Sequence, residues 1–318
     1  MPSKSSLFKS DLHQRYWSYL QTYHPDWVFF LDPKHPQENG PPVFLPIFED
    51  FNVIAHPEAN LTEKERILAF IPPYERHKWF RSMNSSQSLA QSVFGNLAIH
   101  GFLETLSDFL DDEGQVLFIG AQLNPENFSM EHKVSYLGES QTTSLDGYFD
   151  GAYRIAIECK FTESEVGSCS HVQLKPGHPT WCDGQYTLKG RAHRCPLTPT
   201  GVKYWGSVPE LFEWKNYEDL SPCPLFRNYQ LVRNVLAIGV QPDGSVSLDN
   251  GQAVLIYDLR NPAFQEGGKG DQVYQETRLA LKKPSMLRKA SWQSITEFLK
   301  RNSILPWLTE ELEKKYGL

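Results

Sequence analysis

Apolar and polar positions alternate with a period of two along SLDGYFDGAYRIAIECKFTE, residues 144–163. This pattern predicts two β-strands joined by a turn at Asp150 and Gly151. One face of the second strand carries Ala156, Glu158 and Lys160, and the other face carries apolar side chains (Ile155, Ile157, Cys159 and Phe161). A carboxylate and an ammonium group therefore point to the same side of a strand that is otherwise almost entirely apolar.

The rest of the chain predicts an α/β fold. Helical periodicity runs from Asn84 toward Asp111, over NYQLVRNVLAI from Asn228, and from about Gln272 to the end. Further strands are predicted at QVLFIGAQ, MEHKVSYLG and QAVLIYDLR. The segmentation we expect is an aromatic-rich N-terminal extension (1–80), the first half of a core (81–166), a Cys- and His-rich insertion (167–224), the second half of the core (225–265) and a helical C-terminal region (266–318).

The carboxylates of Asp146 and Glu158, on adjacent predicted strands, form a hard-oxygen site suited to one or two Mg²⁺ or Mn²⁺ ions. The alternative is a buried ion pair with no catalytic task, which contributes little to stability. Asp150 competes with Asp146, but a turn residue is expected to face solvent. The Glu-x-Lys string alone is weak evidence, because it also occurs at Glu131/Lys133, in a predicted helix at Glu213/Lys215 and at a solvated helix end at Glu313/Lys315.

At these residues the chain resembles the PD-(D/E)XK, or restriction-endonuclease-like, nuclease superfamily. Asp146 matches the motif's aspartate and Glu158-Cys159-Lys160 its Glu-x-Lys, whereas Leu145 stands where the usual proline is found. The resemblance covers roughly residues 84–264 and is to a bacterial branch with a Ser-Ser-Gln helix and a Tyr-Gln-Leu helix. It implies an αβββαβ core with a mixed sheet flanked by helices, here with a Cys-rich insertion and helical terminal extensions.

The resemblance also implies site roles. Asp146, Glu158 and the backbone carbonyl of Cys159 would bind the metal, and Lys160 would assist the attacking water. Gln230 would reach that water or Lys160. Gln87 stands on the helix where many members carry a glutamate ligand, and it would contact the metal through water or contact phosphate, with a plain helix-start residue as the alternative.

Five cysteines in a chain that shows no secretion signal favour reduced thiols or metal ligands over disulfides. Cys159 is predicted to be a small core residue. The other four form a candidate structural site (Cys169, Cys182, Cys195 and Cys223) for Zn²⁺, with His171 and His193 as alternative ligands. The resemblance adds an iron–sulfur cluster as a second option, and free buried thiols are the third.

A net charge of −7 argues against bulk electrostatic coating of nucleic acid but allows a local basic groove. Four cations are candidate nucleic-acid contacts, with solvated or helical surface as the alternative (Lys189, Arg191, Arg194 and Arg233). A basic stretch ending at Trp292 offers a stacking ring. No apolar run is long enough to cross a bilayer and no signal peptide is evident, so a cytoplasmic location is expected.

Together these observations predict a metal-dependent nuclease acting on nucleic acid, DNA rather than RNA, and an endonuclease rather than an exonuclease. Two alternatives stay open: a nucleic-acid-binding or assembly protein that keeps the core without turnover, and an RNA-directed nuclease. A homodimer or a partner protein is compatible with the sequence and cannot be read from it.

Overall fold

A computed structural model describes residues 3–35, 40–120, 122–140 and 142–318. Its centre is one five-stranded sheet whose spatial order follows the chain order. The strands are β1 (Phe128–Val134), β2 (Thr143–Phe149), β3 (Arg154–Cys159), β4 (Gly251–Tyr257) and β5 (Leu287–Ser291). The first three pair antiparallel, and β3–β4 and β4–β5 pair parallel. The predicted mixed sheet flanked by helices is confirmed.

Nine α-helices surround the sheet in the described part of the chain. They are α1 (Lys4–Tyr23), α2 (Leu61–Leu68), α3 (Ser86–Ala90), α4 (Asn96–Ile99), α5 (Tyr204–Leu211), α6 (Pro224–Gly239), α7 (Lys269–Ala280), α8 (Trp292–Arg301) and α9 (Pro306–Tyr316). A π-helical turn, Gln91–Gly95, joins α3 to α4. The predicted helix toward Asp111 is too long. Gly101, just after α4, adopts a left-handed φ of 75° and ends the helix.

The two faces of β3 bury two different cores, as the alternation predicts. Ile155, Ile157, Cys159 and Phe161 pack with α1, α3, α8 and α9, whereas Ala156 packs with α5, α6 and α7. All six residues of β3 are buried. Because the second face also has to accommodate Glu158 and Lys160, helix α6 must present polar partners where it crosses the sheet.

Two predicted elements are wrong. QVLFIGAQ is not a strand over its described residues: Val116 makes a single bridge to Leu110, and Gly120 turns the chain with a φ of 72°. Ala121 lies outside the described residues. Conversely, β5 lies in a region predicted to be helical. Its central cations hide its strand pattern, because Arg288 pairs with Asp111 at 2.6 Å and Lys289 with Asp271 at 2.9 Å.

The chain ends pack against each other through α1 and α9. Tyr16 and Tyr316 meet edge to face, with ring centroids 6.0 Å apart. Lys315, read from the sequence as solvated surface, is instead buried: its Nζ donates to the backbone oxygen of Asn52 at 2.7 Å. Burial lowers the pKa of Lys315 to about 7, although the nearby Glu311 carboxylate raises it in part. No helix among the described residues is both long and apolar enough to span a membrane.

Candidate active site on the central strands

Glu158 lies in the middle of the molecule with both carboxylate oxygens bonded. It is 4% exposed. Lys160 Nζ lies 2.7 Å from Oε1, while Gln230 Nε2 and Asn234 Nδ2 donate to Oε2 at 3.0 and 2.9 Å. Gln230 and Asn234 are one turn apart on α6, so the helix presents two amides to one oxygen. The structure therefore brings Glu158, Lys160 and Gln230 together, and it adds Asn234, which the sequence reasoning missed.

Asp146 lies on β2, the strand next to the one that carries Glu158. Its Oδ2 accepts the Cys159 amide at 2.6 Å, while Oδ1 accepts no hydrogen bond from the described residues. The backbone N–H and C=O of a strand residue point toward the same neighbouring strand, so the Cys159 carbonyl also faces β2. Asp150 lies at the turn and is exposed. Burial, followed by repulsion from Glu158 and Glu131, raises the pKa of Asp146 well above its usual range.

Glu131, on β1, is a third carboxylate at this site. Between the pairs Met130↔Gly147 and His132↔Leu145, the register leaves it opposite Asp146. Its backbone is left-handed, with a φ of 50°. Such a φ is uncommon for a residue other than glycine. Burial is the main cause of the raised pKa of Glu131. Counting its cross-strand position against Asp146 could have found it, but the β-branched surroundings of Glu158 selected that glutamate alone among the four Glu-x-Lys pairs.

Gln87 reaches the site through Glu131 rather than directly. Its Nε2 donates to Glu131 Oε1 at 2.5 Å, and its Oε1 accepts the His77 amide at 2.9 Å. Ser144 Oγ donates to the other Glu131 oxygen at 2.6 Å. The amide of Gln87 is thus occupied in orienting a carboxylate. The sequence placed it at the start of the first core helix, and the structure confirms that position within α3.

The site carries more negative than positive charge. Lys160 is the ammonium group within it, and burial pulls its pKa down, but Glu158, Glu163 and Asp146 outweigh that effect and raise the pKa. A cavity of about 810 Å³ opens beside the carboxylates and is lined by Glu131, Asp146, Glu163, Gln87, His77 and Trp79. Across the described ranges, no three His, Cys, Asp or Glu side chains are already arranged to hold a metal ion. Two carboxylates and a carbonyl, completed by water, remain a suitable Mg²⁺ set.

The predicted nucleic-acid contacts do not gather at this cavity. Arg191 pairs with Asp183 at 2.5 Å, and Arg194 with Asp219 at 3.1 Å. Lys189 is exposed on a turn. Sequence reasoning identified these cations but could not identify the acids that neutralise them, because those acids are up to 25 residues away along the chain.

Arg233 and Trp292 have structural roles. Arg233 is bound by Glu139 at 2.8 Å and by the Thr143 hydroxyl at 3.0 Å, which ties α6 to the start of β2. Trp292 is fully buried, so its predicted role as a stacking ring is wrong. Its indole N–H donates to the Lys160 carbonyl at 3.0 Å and thereby fixes the backbone at the end of β3.

Four cysteines follow β3 along the chain, and the last of them immediately precedes α6. Their thiols are free and their side chains are partly buried (Cys169, Cys182, Cys195 and Cys223). His171 bonds Thr180 Oγ1 through Nδ1 at 3.0 Å. His193 is exposed.

A five-stranded mixed sheet flanked by helices, with acidic residues on its inner strands, is a restriction-endonuclease-like α/β fold. The chain belongs to the family described as restriction endonuclease associating with ARP, whose model matches residues 32–317. No curated protein and no solved structure matches the chain.

Proposed function

We propose that the protein is a metal-dependent nuclease of the PD-(D/E)XK type that hydrolyses phosphodiester bonds in DNA. One observation carries the proposal: Asp146 lies opposite Glu131 in the β1–β2 pairing and on the strand next to Glu158, whose carboxylate lies 2.7 Å from the Lys160 ammonium group. Carboxylates crowded in a buried place cost free energy unless a cation or protons compensate them. The description of the family as restriction endonucleases supports this reading.

The donor set fits a divalent cation of the Mg²⁺ class. Asp146 offers a free oxygen to the cavity, Glu158 lies on the next strand, and the Cys159 carbonyl faces the edge between them. When bound, Mg²⁺ or Mn²⁺ would polarise the scissile phosphate and lower the pKa of an attacking water. Oxygen ligands and an incomplete protein shell are typical of Mg²⁺ sites.

The chain's own residues have separate tasks in this proposal. Asp146 and Glu158 would hold the cation, and Lys160 would orient the water or stabilise charge that develops on the phosphate. Gln230 and Asn234 fix the Glu158 carboxylate through Oε2, and Lys160 contacts Oε1. Glu131, held by Gln87 and Ser144, adds negative potential beside Asp146.

We further propose a partner protein for this nuclease. The family description states an association with ARP. The candidate phosphate-binding arginines Arg191, Arg194 and Arg233 are each paired with a carboxylate. DNA binding through these three arginines would require exchange of their ion pairs, whereas a second chain would supply cations that are not already paired.

The test is cleavage of supercoiled plasmid, linear duplex, single-stranded DNA and RNA, with Mg²⁺, Mn²⁺ or EDTA. Glu158→Gln should abolish metal-dependent cutting. Glu213→Gln is the matched control, since Glu213 belongs to an exposed Glu-x-Lys pair with 3.9 Å between its carboxylate and Lys215. Cutting of RNA alone would favour the RNA-directed alternative. Folded protein that binds DNA but cuts nothing, with or without its partner, would favour a binding role.

A further inference from the structure

Each of the four cysteines of residues 167–224 has a residue two positions later that supplies a backbone N–H. Gly184 donates to the Cys182 sulfur at 3.4 Å, and His171, Leu197 and Leu225 stand at the same position after Cys169, Cys195 and Cys223. A thiol sulfur is a weak acceptor, whereas a thiolate is charged and accepts strongly. The Gly184 N–H is therefore placed to stabilise negative charge on the Cys182 sulfur.

Backbone hydrogen bonds bring three of the four turns together. The Cys169 amide donates to Phe226 at 2.9 Å, the Cys182 amide to His171 at 3.2 Å and the Cys223 amide to Gly184 at 2.8 Å. Since Phe226 is in turn bonded to Cys223 at 2.9 Å, the bonds form a closed circuit of segments. The circuit places residues far apart in the sequence side by side.

The fourth cysteine joins this group from a separate turn. Cys195 interacts electrostatically with Cys182 and Cys169, and Cys223 interacts with all three others. Both also pack against the core that contains Tyr186 and Trp205. The neighbouring cavity of about 690 Å³ is lined by His193 and Arg194 but by none of the cysteines.

We propose that Cys169, Cys182, Cys195 and Cys223 bind one Zn²⁺ ion as a four-thiolate structural site. Each thiol loses its proton to solvent as its sulfur forms a bond to zinc. Among the described residues the four sulfurs are not arranged around a common point, so zinc binding requires them to move closer together. Four cysteine ligands in tetrahedral geometry are the usual set for structural zinc. Cys169 interacts with Arg233, whose charge offsets part of the negative charge of the site.

The zinc site braces the helix that supports the active site. Cys223 immediately precedes α6, and Cys169 is bonded to the first turn of that helix. Two residues before Cys169, the Gly167 carbonyl accepts the Gln230 backbone N–H at 3.2 Å. A Cβ added at Gly167 would lie 3.2 Å from the Gln230 Cβ, so the loop and the helix pack closely here. Zinc would therefore cross-link the segment and fix the N-terminal half of α6, which carries Gln230.

The first experiment is elemental analysis of the full chain purified without chelators, followed by zinc titration of any metal-free fraction. We expect one zinc per chain, lost in Cys182→Ser and in Cys195→Ser. Cys159→Ala is the control, because Cys159 is a core residue outside the cluster, and it should keep its zinc. Folded wild-type protein that neither contains nor binds zinc would overturn the proposal.

A second measurement applies even where the serine variants do not fold. Co²⁺ substituted into the wild-type chain should give the ligand-field and sulfur-to-metal absorption of a tetrahedral thiolate site. An octahedral cobalt spectrum, or iron with acid-labile sulfide in the purified protein, would contradict a four-thiolate zinc site. Both measurements leave nuclease activity aside, so their outcome is independent of the proposed reaction.

Discussion

The site on the central strands and the cysteine segment hold their functional side chains in opposite ways. Glu158 lies on a strand with six buried residues, hydrogen-bonded to neighbours on both sides. Residues 167–203, by contrast, contain two short 3₁₀ helices, Ser170–Gln173 and Thr198–Thr200, and no α-helix or strand. The sheet is held by its backbone ladder and its apolar cores. The segment needs a cross-link of another kind, because it buries few large apolar side chains.

This contrast explains the charge in each region. In the sheet, carboxylates exceed the ammonium groups and the rigid scaffold tolerates the imbalance. In the segment, the four cysteines carry free thiols, and the Gly184 N–H donates to the Cys182 sulfur. A cation is thus proposed to serve catalysis in the first region and folding in the second.

The largest expected effect separates two of the chain's four Glu-x-Lys pairs, Glu158/Lys160 and Glu213/Lys215. Lys160→Met should lower the cleavage rate roughly 10²–10³-fold, the scale on which one charge-stabilising group acts in catalysis. Lys215→Met, in the exposed pair, should leave the rate unchanged. The measurement is single-turnover cleavage at saturating Mg²⁺, with circular dichroism to verify folding. Equal rates in the wild type and Lys160→Met would remove Lys160 from the reaction.

The next effect tests whether metal holds the segment but not the sheet. A strong zinc chelator should raise amide hydrogen exchange in residues 167–203 by at least about tenfold, equivalent to about 1.4 kcal/mol of local opening free energy. Exchange in β3 and β4 should stay unchanged because their ladder does not depend on zinc. Uniform loss of protection in both regions, or none in either, would contradict the distinction.

A smaller effect is expected at the amides that orient Glu158. Asn234→Ala removes one hydrogen bond to a buried carboxylate, a bond worth about 1.5–3 kcal/mol. We expect about a tenfold loss in rate, with Gln230→Ala similar and the double variant less than the product of both, since both amides share one oxygen. A thermal denaturation midpoint lowered without any change in rate would assign Asn234 to stability alone.

The smallest effect is a coupling between pH and Mg²⁺. Because the folded protein holds the Asp146 proton above pH about 4, where an unfolded Asp ionises, stability of the metal-free protein falls as pH rises toward the raised pKa. Mg²⁺ binds the ionised form, so its stabilising effect should grow with pH over that window. Melting curves should show a gain on the order of 2–4 °C at the upper end. A gain independent of pH would contradict a carboxylate site with raised pKa values.

Sequence reasoning was strongest where side chains repeat with a short period. The faces of β3, the position of Asp146 inside a strand and the approach of Gln230 on a later helix all follow from periodicity and the resemblance. Asn234 was missed although it is one turn from Gln230, and Glu131 was missed because its role depends on the register of β1 against β2. Register is a long-range property that local patterns specify weakly.

Buried charges were the other weakness. Lys315 sits in a run of charged residues that is typical of solvated helix, and its burial against Asn52 depends on how the two chain ends pack. Strand β5 was missed for the same reason. Its cations, Arg288 and Lys289, pair with Asp111 and Asp271, which come from other segments of the chain. A single sequence shows charge but not its partner.

The most direct test of the active-site account is Mn²⁺ binding to Asp146→Asn and to Asp150→Asn, followed by electron paramagnetic resonance. The two residues are four positions apart, one within β2 and facing the cavity, the other exposed at the turn. The account predicts that Asp146→Asn loses the bound Mn²⁺ while Asp150→Asn keeps it at the wild-type affinity. Unchanged Mn²⁺ binding by Asp146→Asn would contradict a metal site built on the central strands.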